Sequence, residues 1–179
     1  MQQVTVNGKT YNLIKLLGKG KGGYSYLAEN NSQLVVIKKI HHEPCVYYNF
    51  GDKMQAELLN DYQKLCQIGI PMPKLLDYDL EQEIIVKQYI DGKTVYQMVL
   101  ENNLPQTCVE QVVDMCKKLY ANNTNIDYFP TNFVLQDGIL YYIDYECNAY
   151  MDEWNYENWG IKYWSQTPEF LQYVNKRGN

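Results

Sequence analysis

The sequence predicts an α+β fold in which a strand-rich first half is followed by a helix-rich second half. Short apolar runs separated by turn residues fill the first 40 positions and return before residue 90, as in an antiparallel sheet. Between Asp52 and Gly69, apolar residues instead recur at helical spacing. Helical patterns dominate beyond residue 90, so we divide the chain into two lobes of one domain, residues 1–89 and 90–179.

The first four predicted strands form a meander. In VTVNGKTY, Asn7-Gly8 lies between two alternating runs and predicts a hairpin with a type I′ turn, because both residues tolerate positive φ. The run YNLIKLLGKGKGGYSYLAEN predicts two strands joined by a glycine-rich turn. Asn30-Asn31 predicts a further turn before QLVVIKKI, a strongly apolar strand. We expect these strands to pair antiparallel.

The remaining elements are helices and short strands. Asp52 is a candidate cap for a helix that Gly69 ends, and KLLDYDL and QEIIVKQYI predict two more strands. After residue 90, KTVYQMVLENN predicts a short helix. The pattern TCVE, which begins at Thr107, predicts a capping box at the start of a long helix. The runs NFVLQ and ILYYID around an Asp-Gly pair predict a hairpin, and we expect the aromatic tail to be helical.

Composition excludes several classes of protein. The 179 residues carry a net charge of −5, which argues against nucleic acid or an anionic membrane as the main partner. The five cysteines are odd in number and form no C-x-x-C motif, so we expect reduced thiols and neither a disulfide framework nor a zinc site. No apolar run suits a signal peptide or a membrane span, so we expect a soluble, cytoplasmic protein.

The stretch LGKGKGGYS contains G-x-G-x-x-G at Gly18, Gly20 and Gly23. A dinucleotide-binding fingerprint or a P-loop requires a helix directly after the glycines, whereas YSYLAE alternates like a strand. A glycine loop between two strands can instead cover nucleotide phosphates, because glycine lets the backbone approach them closely. The alternative is a flexible hairpin tip.

The apolar strand after the glycine loop contains Lys38. A buried ammonium needs a partner, and Glu57 in the following predicted helix could supply one if that helix packs on the strand. Lys38 could then hold the α- and β-phosphates of a nucleotide. The alternative is an edge strand that leaves Lys38 and Lys39 in solvent.

The segment NIDYFPTNFVLQDGILYYIDYE contains Asp127 and Asn132 in the pattern D-x-x-x-x-N, followed by Asp144. Oxygen atoms of Asn and Asp suit magnesium and leave room for phosphate and water. A separate Asp near a γ-phosphate can orient a hydroxyl group and accept its proton. Turn chemistry is the alternative, but it does not explain why these residues follow a glycine loop, a strand lysine and a helical glutamate in that order.

In that order and spacing, the motifs resemble those of the protein-kinase-like superfamily over about residues 11–160. The segment QYIDG at residues 88–92 is similar to the hinge of compact bacterial kinases and of RIO and aminoglycoside phosphotransferase relatives. The glycine loop of the family is matched by Gly18, Gly20 and Gly23, and its V-A-I-K strand by Val36-Ile37-Lys38. The αC glutamate is matched by Glu57. The H-R-D-x-x-x-x-N loop is matched by Asp127 and Asn132, and the D-F-G position by Asp144-Tyr145-Glu146.

The resemblance implies a two-lobed kinase-like fold with an antiparallel N-lobe sheet plus one helix and a truncated, mainly helical C-lobe. It implies that Lys38, Glu57 and Asp127 are the catalytic set, with Asn132 and Asp144 as magnesium ligands. It also implies an ATP site in which backbone groups of the hinge read the base and three apolar side chains sandwich it. The ATP-binding residues implied in this way are Leu17, Gly18, Gly20, Gly23, Val36, Lys38, Gln88, Ile90 and Val134.

Several positions depart from the family pattern. Asn125 replaces the histidine of H-R-D, D-Y-E replaces D-F-G, and Lys87 occupies the usually apolar gatekeeper position. Glu157 begins a segment similar to the D-x-W-x-x-G start of helix αF. It is therefore a candidate to hold the catalytic-loop backbone, with a surface acid as the alternative.

Three functions are compatible with these residues. The first is a minimal Ser/Thr protein kinase that acts on an unidentified protein or on itself. The second is a small-molecule phosphotransferase, similar to aminoglycoside and choline kinases, which the I-D-Y-E motif favours. The third is a nucleotide-binding pseudokinase that acts as an interaction module, which the missing His and Phe favour. We also expect an exposed aromatic tail that could bind a protein partner.

Overall fold

The computed structural model describes residues 2–44 and 60–177, which form two compact units. Unit 1 comprises residues 2–44, Asn60 and Pro73–Tyr89, and unit 2 comprises Asp61–Met72 and residues 90–177. The predicted α+β class is confirmed, since the described chain combines antiparallel sheets with α-helices. Asp52 and Glu57, and with them the start of the helix predicted after Asp52, lie outside the described residues.

Unit 1 is a six-stranded antiparallel sheet in the order β1-β2-β3-β4-β6-β5. Its strands are β1 (Gln3–Val6), β2 (Lys9–Lys19), β3 (Gly23–Asn30), β4 (Gln33–Ile40), β5 (Leu75–Asp79) and β6 (Ile84–Gln88). The predicted meander of the first four strands is confirmed. The last strand in sequence, β6, pairs with both β4 and β5 and therefore lies between them.

Turn chemistry sets the ends of these strands. Asn7 and Gly8 have φ of 47° and 78°, as the predicted type I′ turn requires. The second turn lies one residue later than predicted, at Asn31 and Ser32, which both have positive φ. Asn30 remains in the β3–β4 ladder, and its side chain donates a 2.7 Å hydrogen bond to the carbonyl oxygen of Thr10. The side chain of Asn30 therefore stabilises the end of the sheet.

The sheet of unit 1 has two faces of different character. One face carries the apolar core of the unit, formed by Val4, Val6, Tyr11, Leu13, Ala28, Val35, Ile37, Ile84 and Val86. Successive side chains of a strand point to opposite faces. Val36 and Lys38 in β4 therefore lie on the other face, where they are 7% and 8% exposed.

Unit 2 contains helices and two small sheets. The α-helices are α1 (Tyr62–Ile68), α2 (Val95–Leu100), α3 (Gln106–Ala121) and α4 (Pro168–Arg177). The strands are β7 (Lys93–Thr94), β8 (Thr124–Ile126), β9 (Phe133–Gln136), β10 (Ile139–Tyr142) and β11 (Cys147–Ala149), in sheets ordered β10-β9-β7 and β11-β8. As predicted, α1 ends at Gly69, which has a left-handed φ of 84°.

The predicted capping box at Thr107 is wrong. Helix α3 begins at Gln106, with Pro105 as its N-cap and no side-chain cap, so Thr107 already lies within the first turn. A capping box instead begins α2. There the Gln97 N–H donates to Thr94 Oγ1 at 3.1 Å, and the Thr94 N–H donates to Gln97 Oε1 at 2.9 Å.

The aromatic tail belongs largely to the core of unit 2. Tyr156, Trp164 and Phe170 are buried there, whereas Trp154 is 47% exposed. The expectation of an exposed tail is therefore wrong for these three rings. The tail is helical in α4, after two short 3-10 turns. A partner surface formed by its exposed side chains stays a prediction.

No helix within residues 2–44 and 60–177 is long and apolar enough to span a membrane. The cysteines that the structure describes are free thiols at Cys66, Cys108, Cys116 and Cys147. Burial raises the pKa of Cys116 to about 11 and that of Cys147 to about 12. Both thiols are therefore protonated at neutral pH, which makes them poor nucleophiles.

Candidate functional site

The glycine loop of unit 1 connects β2 to β3, as the sequence predicts. Gly18 lies in β2, Gly23 begins β3, and the Gly20 N–H donates a 2.9 Å hydrogen bond to the Gly23 carbonyl oxygen. A Cβ added at Gly18 would meet no described atom within 4 Å, and one at Gly20 would make an ordinary contact of 3.8 Å. Packing within the described chain therefore does not require glycine at Gly18 or Gly20.

Gly23 is different, because the side chain of Lys38 lies against it. A Cβ at Gly23 would be 2.8 Å from the Lys39 carbonyl oxygen and 3.2 Å from Lys38 Cε, closer than side chains normally approach. Lys38 pairs with Ser25 on one side and Ile85 on the other, in the middle of the sheet. The alternative of Lys38 in a solvent-exposed edge strand is therefore wrong. Its pairing with Glu57 stays a prediction, since Glu57 lies outside the described residues.

The segment after β4 holds the tip of the glycine loop. Glu43 accepts hydrogen bonds from the Lys19 ammonium and the Tyr24 hydroxyl, and the bond from Lys19 lowers the pKa of Glu43. His41 Nε2 lies 3.1 Å from the Gly20 carbonyl oxygen, and the His41 ring packs edge-on against Tyr24 at 5.1 Å. These exposed contacts contribute little stability individually, but together they define one conformation of the loop.

The base-binding residues predicted in unit 1 differ in exposure. Leu17 is 42% exposed, whereas Val36 is buried on the same sheet face as Lys38. The N–H of Gln88 donates a 2.9 Å hydrogen bond to the carbonyl oxygen of Lys74, and the side chain of Gln88 accepts a bond from the Lys74 N–H. The N–H of Gln88 is thus already committed, and its predicted contact with a base must come from the carbonyl oxygen.

The base-binding residues predicted in unit 2 are both buried: Ile90 and Val134 are each 5% exposed. Thr94 pairs with Val134 through β7 and β9. A Cβ at Gly92 would lie 2.0 Å from the Leu135 carbonyl oxygen, so only glycine fits there. The glycine after the predicted hinge is therefore needed for the close packing of that segment against β9.

Hydrogen bonds close the predicted catalytic loop on itself. The Phe129 N–H donates to Asp127 Oδ1 at 3.0 Å, which fixes the carboxylate by a local turn. Asn132 Nδ2 donates to the Asp127 carbonyl oxygen at 3.2 Å. Pro130 begins the 3-10 turn Pro130–Asn132, where its fixed φ favours a helical start. The D-x-x-x-x-N spacing therefore corresponds to one compact loop.

Asp144 joins this loop through the adjacent strand. The N–H of residue 143 donates to the Asn132 carbonyl oxygen at 2.9 Å, which brings the start of the D-Y-E segment to the loop. Tyr142 is fully buried, and its hydroxyl donates to the Glu146 carbonyl oxygen at 2.8 Å. Burial, followed by the charges of Asp144, Asp127 and Glu146, raises the pKa of Tyr142. The Tyr142 hydroxyl, which sequence reasoning did not single out, therefore stays protonated at neutral pH.

The tail supports the predicted catalytic loop, but not through Glu157, the residue predicted to do so. Trp164 Nε1 donates a buried 2.8 Å hydrogen bond to the carbonyl oxygen of Tyr128, the residue after Asp127. Gly160 allows the same close approach, because a Cβ there would lie 2.6 Å from Tyr128 Cβ. Glu157 is exposed and instead accepts a 2.7 Å bond from the hydroxyl of Tyr120. The sequence therefore identified the segment that supports the loop, but not Trp164, the residue in it that makes the hydrogen bond.

Asn125, which lies just before the predicted catalytic loop, also connects that loop to the tail. It is buried, pairs with Asn148 across β8 and β11, and donates through Nδ2 to the Met151 carbonyl oxygen at 2.9 Å. Its Oδ1 has no hydrogen-bond partner within the part of the chain that the structure describes. The side chain thus fixes the strand that leads into the predicted catalytic loop.

The predicted magnesium ligands form a sparse donor set. Within residues 2–44 and 60–177, no group of three or more His, Cys, Asp and Glu side chains is placed to hold one metal ion. Asn132 directs its Nδ2 at Asp127, which leaves the amide oxygen on the other side, and Asp144 supplies a carboxylate. Two hard oxygen donors fit magnesium, which usually retains water and takes phosphate oxygens as further ligands.

No family model matches the chain, and a search of curated proteins returns no significant match. Its own residues therefore provide the basis for a functional proposal. Unit 1 brings Gly23 against Lys38, and unit 2 brings Asp127, Asn132 and Asp144 into one loop and hairpin.

Proposed function

We propose that this chain is an ATP- and magnesium-dependent phosphotransferase with a two-lobed, protein-kinase-like fold. In this proposal it transfers the γ-phosphate of ATP to a serine or threonine hydroxyl of a protein, or of the chain itself. The observation that carries the proposal is the closed loop from Asp127 to Asn132 and its hydrogen bond to Ile143, the residue before Asp144. This arrangement gathers one candidate base and two candidate metal ligands from a short segment of chain.

Unit 1 supplies the groups proposed to hold the nucleotide. The glycine loop covers the phosphates. Because packing within the described chain does not require glycine at Gly18 or Gly20, close approach to a phosphate explains these two glycines. Lys38, whose stem lies against Gly23, binds the α- and β-phosphates. Leu17 and Val36 contact the base, and Gln88 reads its edge through its backbone carbonyl oxygen. Glu57 pairs with Lys38.

Unit 2 supplies the groups proposed to act at the transferring phosphate. The acceptor hydroxyl oxygen bonds to the γ-phosphorus, the bond from that phosphorus to the ADP oxygen breaks, and the hydroxyl proton passes to the Asp127 carboxylate. The hydrogen bond from the Phe129 N–H keeps that carboxylate in one orientation. Asn132 and Asp144 would hold magnesium, which when bound neutralises charge on the phosphate oxygens.

Nucleotide binding and rate measurements test this proposal in sequence. The melting temperature should rise when ATP and magnesium are added together, because ligand binding stabilises the folded state. Asp127→Asn keeps the shape of the side chain but cannot accept the proton, so it should lower the transfer rate by roughly 10² to 10⁴ without abolishing the thermal shift. Wild-type protein that shows no thermal shift with ATP and magnesium would exclude both enzyme functions.

A small-molecule phosphotransferase is the second candidate, and the D-Y-E motif at Asp144 favours it. The two candidates share the same ATP site and differ in the acceptor. Label transferred from ATP to the low-molecular-weight fraction of a cell extract would support this second function, whereas label in the protein fraction would support the first. ATP binding without transfer to either fraction would point to a pseudokinase that acts as an interaction module.

A further inference from the structure

Five aromatic rings that are only partly buried form one connected surface on unit 2. They are Tyr173, Phe129, Tyr163, Trp159 and Trp154, and in this order each ring centroid lies 4.7–5.9 Å from the next. Trp154 is 47% exposed, and the other four rings are half-buried. We call these five side chains the aromatic surface. Partly exposed aromatic residues that cluster in this way are typical of binding surfaces rather than of a core.

The aromatic surface includes the residue that orients the candidate base. The Phe129 N–H donates to Asp127 Oδ1 at 3.0 Å, and the Phe129 ring contacts Tyr163 at 5.1 Å. In the proposed reaction, the acceptor hydroxyl must approach the Asp127 carboxylate to within hydrogen-bond distance. Two residues of chain span at most about 7 Å. The part of the acceptor that flanks its hydroxyl is therefore within reach of the Phe129 ring.

The aromatic surface also presents polar groups that the fold does not use. In the described parts of the chain, the indole N–H groups of Trp154 and Trp159 and the Tyr163 hydroxyl form no hydrogen bond. Asp152 and Glu153 precede Trp154 in a 3-10 turn, and both are exposed. Among the described residues, neither carboxylate forms an ion pair. A lysine or arginine that pairs with them would lie close to Trp154, and tryptophan is the ring that attracts cations most strongly.

We propose that the aromatic surface binds the acceptor segment of a protein substrate, with a bulky apolar side chain at Phe129 and a lysine or arginine at Trp154. This inference rests on the proposed function and names the class of its acceptor. Two ring contacts, of 6.3 and 5.9 Å, lead from Phe129 through Trp159 to Trp154. An extended segment passes between these ends in at most about four residues. One peptide segment therefore reaches the candidate base, the apolar ring and the two carboxylates together.

Initial rates with a library of synthetic peptides test this proposal. Each peptide contains one serine or threonine and one fixed residue at one flanking position, and the full chain is used with ATP and magnesium. We expect wild type to prefer a bulky apolar residue close to the hydroxyl residue. We also expect a preference for lysine or arginine within about four positions of that apolar residue.

Variants at the Trp154 end of the surface separate this role from folding and from ATP binding. Trp154→Ala should raise the KM for the preferred peptide by about tenfold, as the loss of an aromatic anchor does at other interfaces. The KM for ATP should stay within about twofold of wild type. Glu153→Lys reverses one exposed charge and should change the preference from basic to acidic peptides. Glu110→Lys, the matched control, reverses an exposed charge of α3 outside the aromatic surface and should keep the wild-type preference.

Several outcomes would overturn the acceptor surface and leave the phosphotransferase standing. Trp154→Ala and wild type could have the same KM for the preferred peptide, or wild type could phosphorylate all peptides alike. Label that wild type transfers only to small molecules of a cell extract would have the same meaning. A preference for basic peptides that persists in Glu153→Lys would overturn the proposed position of the cation. Wild-type protein that binds no ATP, or binds it without any transfer, would overturn both proposals.

Discussion

Gly23→Ala tests whether Lys38 lies beneath the glycine loop. The added Cβ would lie 2.8 Å from the Lys39 carbonyl oxygen, a backbone atom that cannot move without displacing β4, and 3.2 and 3.3 Å from two carbons of Lys38. Overpacking of this kind costs typically about 1–3 kcal/mol. Alanine also restricts the unfolded chain more than glycine does, which raises the free energy of unfolding by about 0.4–1 kcal/mol. The free energy of unfolding should therefore fall by up to about 2.6 kcal/mol, with the middle of the range near about 1.3 kcal/mol.

Gly18→Ala is the control within the same loop. Its Cβ meets no described atom within 4 Å and its φ is not positive, so its stability should equal that of wild type or exceed it by up to about 1 kcal/mol. Urea unfolding followed by tryptophan fluorescence measures both variants, and calorimetric titration with ATP and magnesium measures binding. We expect Gly23→Ala to lose ATP affinity as well, because it displaces the Lys38 stem. If Gly23→Ala and Gly18→Ala are equally stable, the placement of the Lys38 stem against Gly23 is wrong.

Two further predictions concern unit 2. Trp164→Phe leaves the buried Tyr128 carbonyl oxygen without its donor and should lower the free energy of unfolding by about 1–3 kcal/mol. The control is Trp154→Phe at the exposed ring, which should change the free energy of unfolding by less than about 0.5 kcal/mol. Equal values for the two variants in urea titrations would argue against the Trp164 bond. Burial raises the pKa of Asp61, so the folded state binds its proton more tightly and loses stability as pH rises above the ordinary value of 3.8. Asp61→Asn stays neutral at every pH and can still accept the hydrogen bond from the Cys147 N–H. It should therefore be more stable than wild type at pH 7 and equally stable near pH 3. A variant that is less stable than wild type at pH 7 would contradict this reasoning.

Local turn chemistry explains why much of the strand pattern could be predicted from the sequence. Asn7-Gly8 and Asp137-Gly138 both form turns with positive φ at each position, as those residue pairs allow at low cost. The position of β6 between β4 and β5 could not be predicted in the same way, because it depends on pairing between strands that are distant in sequence. The capping box failed at Thr107 because Pro105 had already begun the helix.

In the candidate site, too, features set by neighbouring residues could be predicted from the sequence, whereas contacts between distant residues could not. Asp127 and Asn132 could be assigned to one loop from their spacing, and the structure closes that loop by hydrogen bonds. Tyr142 and Trp164 could not be singled out, because a buried aromatic ring with a polar group has the same sequence signal as any core aromatic residue. Their roles depend on what their hydroxyl and indole groups reach in the folded unit.

Transfer of label from γ-labelled ATP is the most direct measurement of the central claim. Purified wild-type protein, incubated with magnesium and then with a cell extract, should transfer label to itself or to an acceptor in one fraction of the extract. Lys38→Ala and Asp144→Ala should abolish the transfer, whereas Lys39→Ala should leave it unchanged. The absence of transfer by wild type, or equal transfer by Asp144→Ala and wild type, would contradict the assignment of a phosphotransferase to this chain.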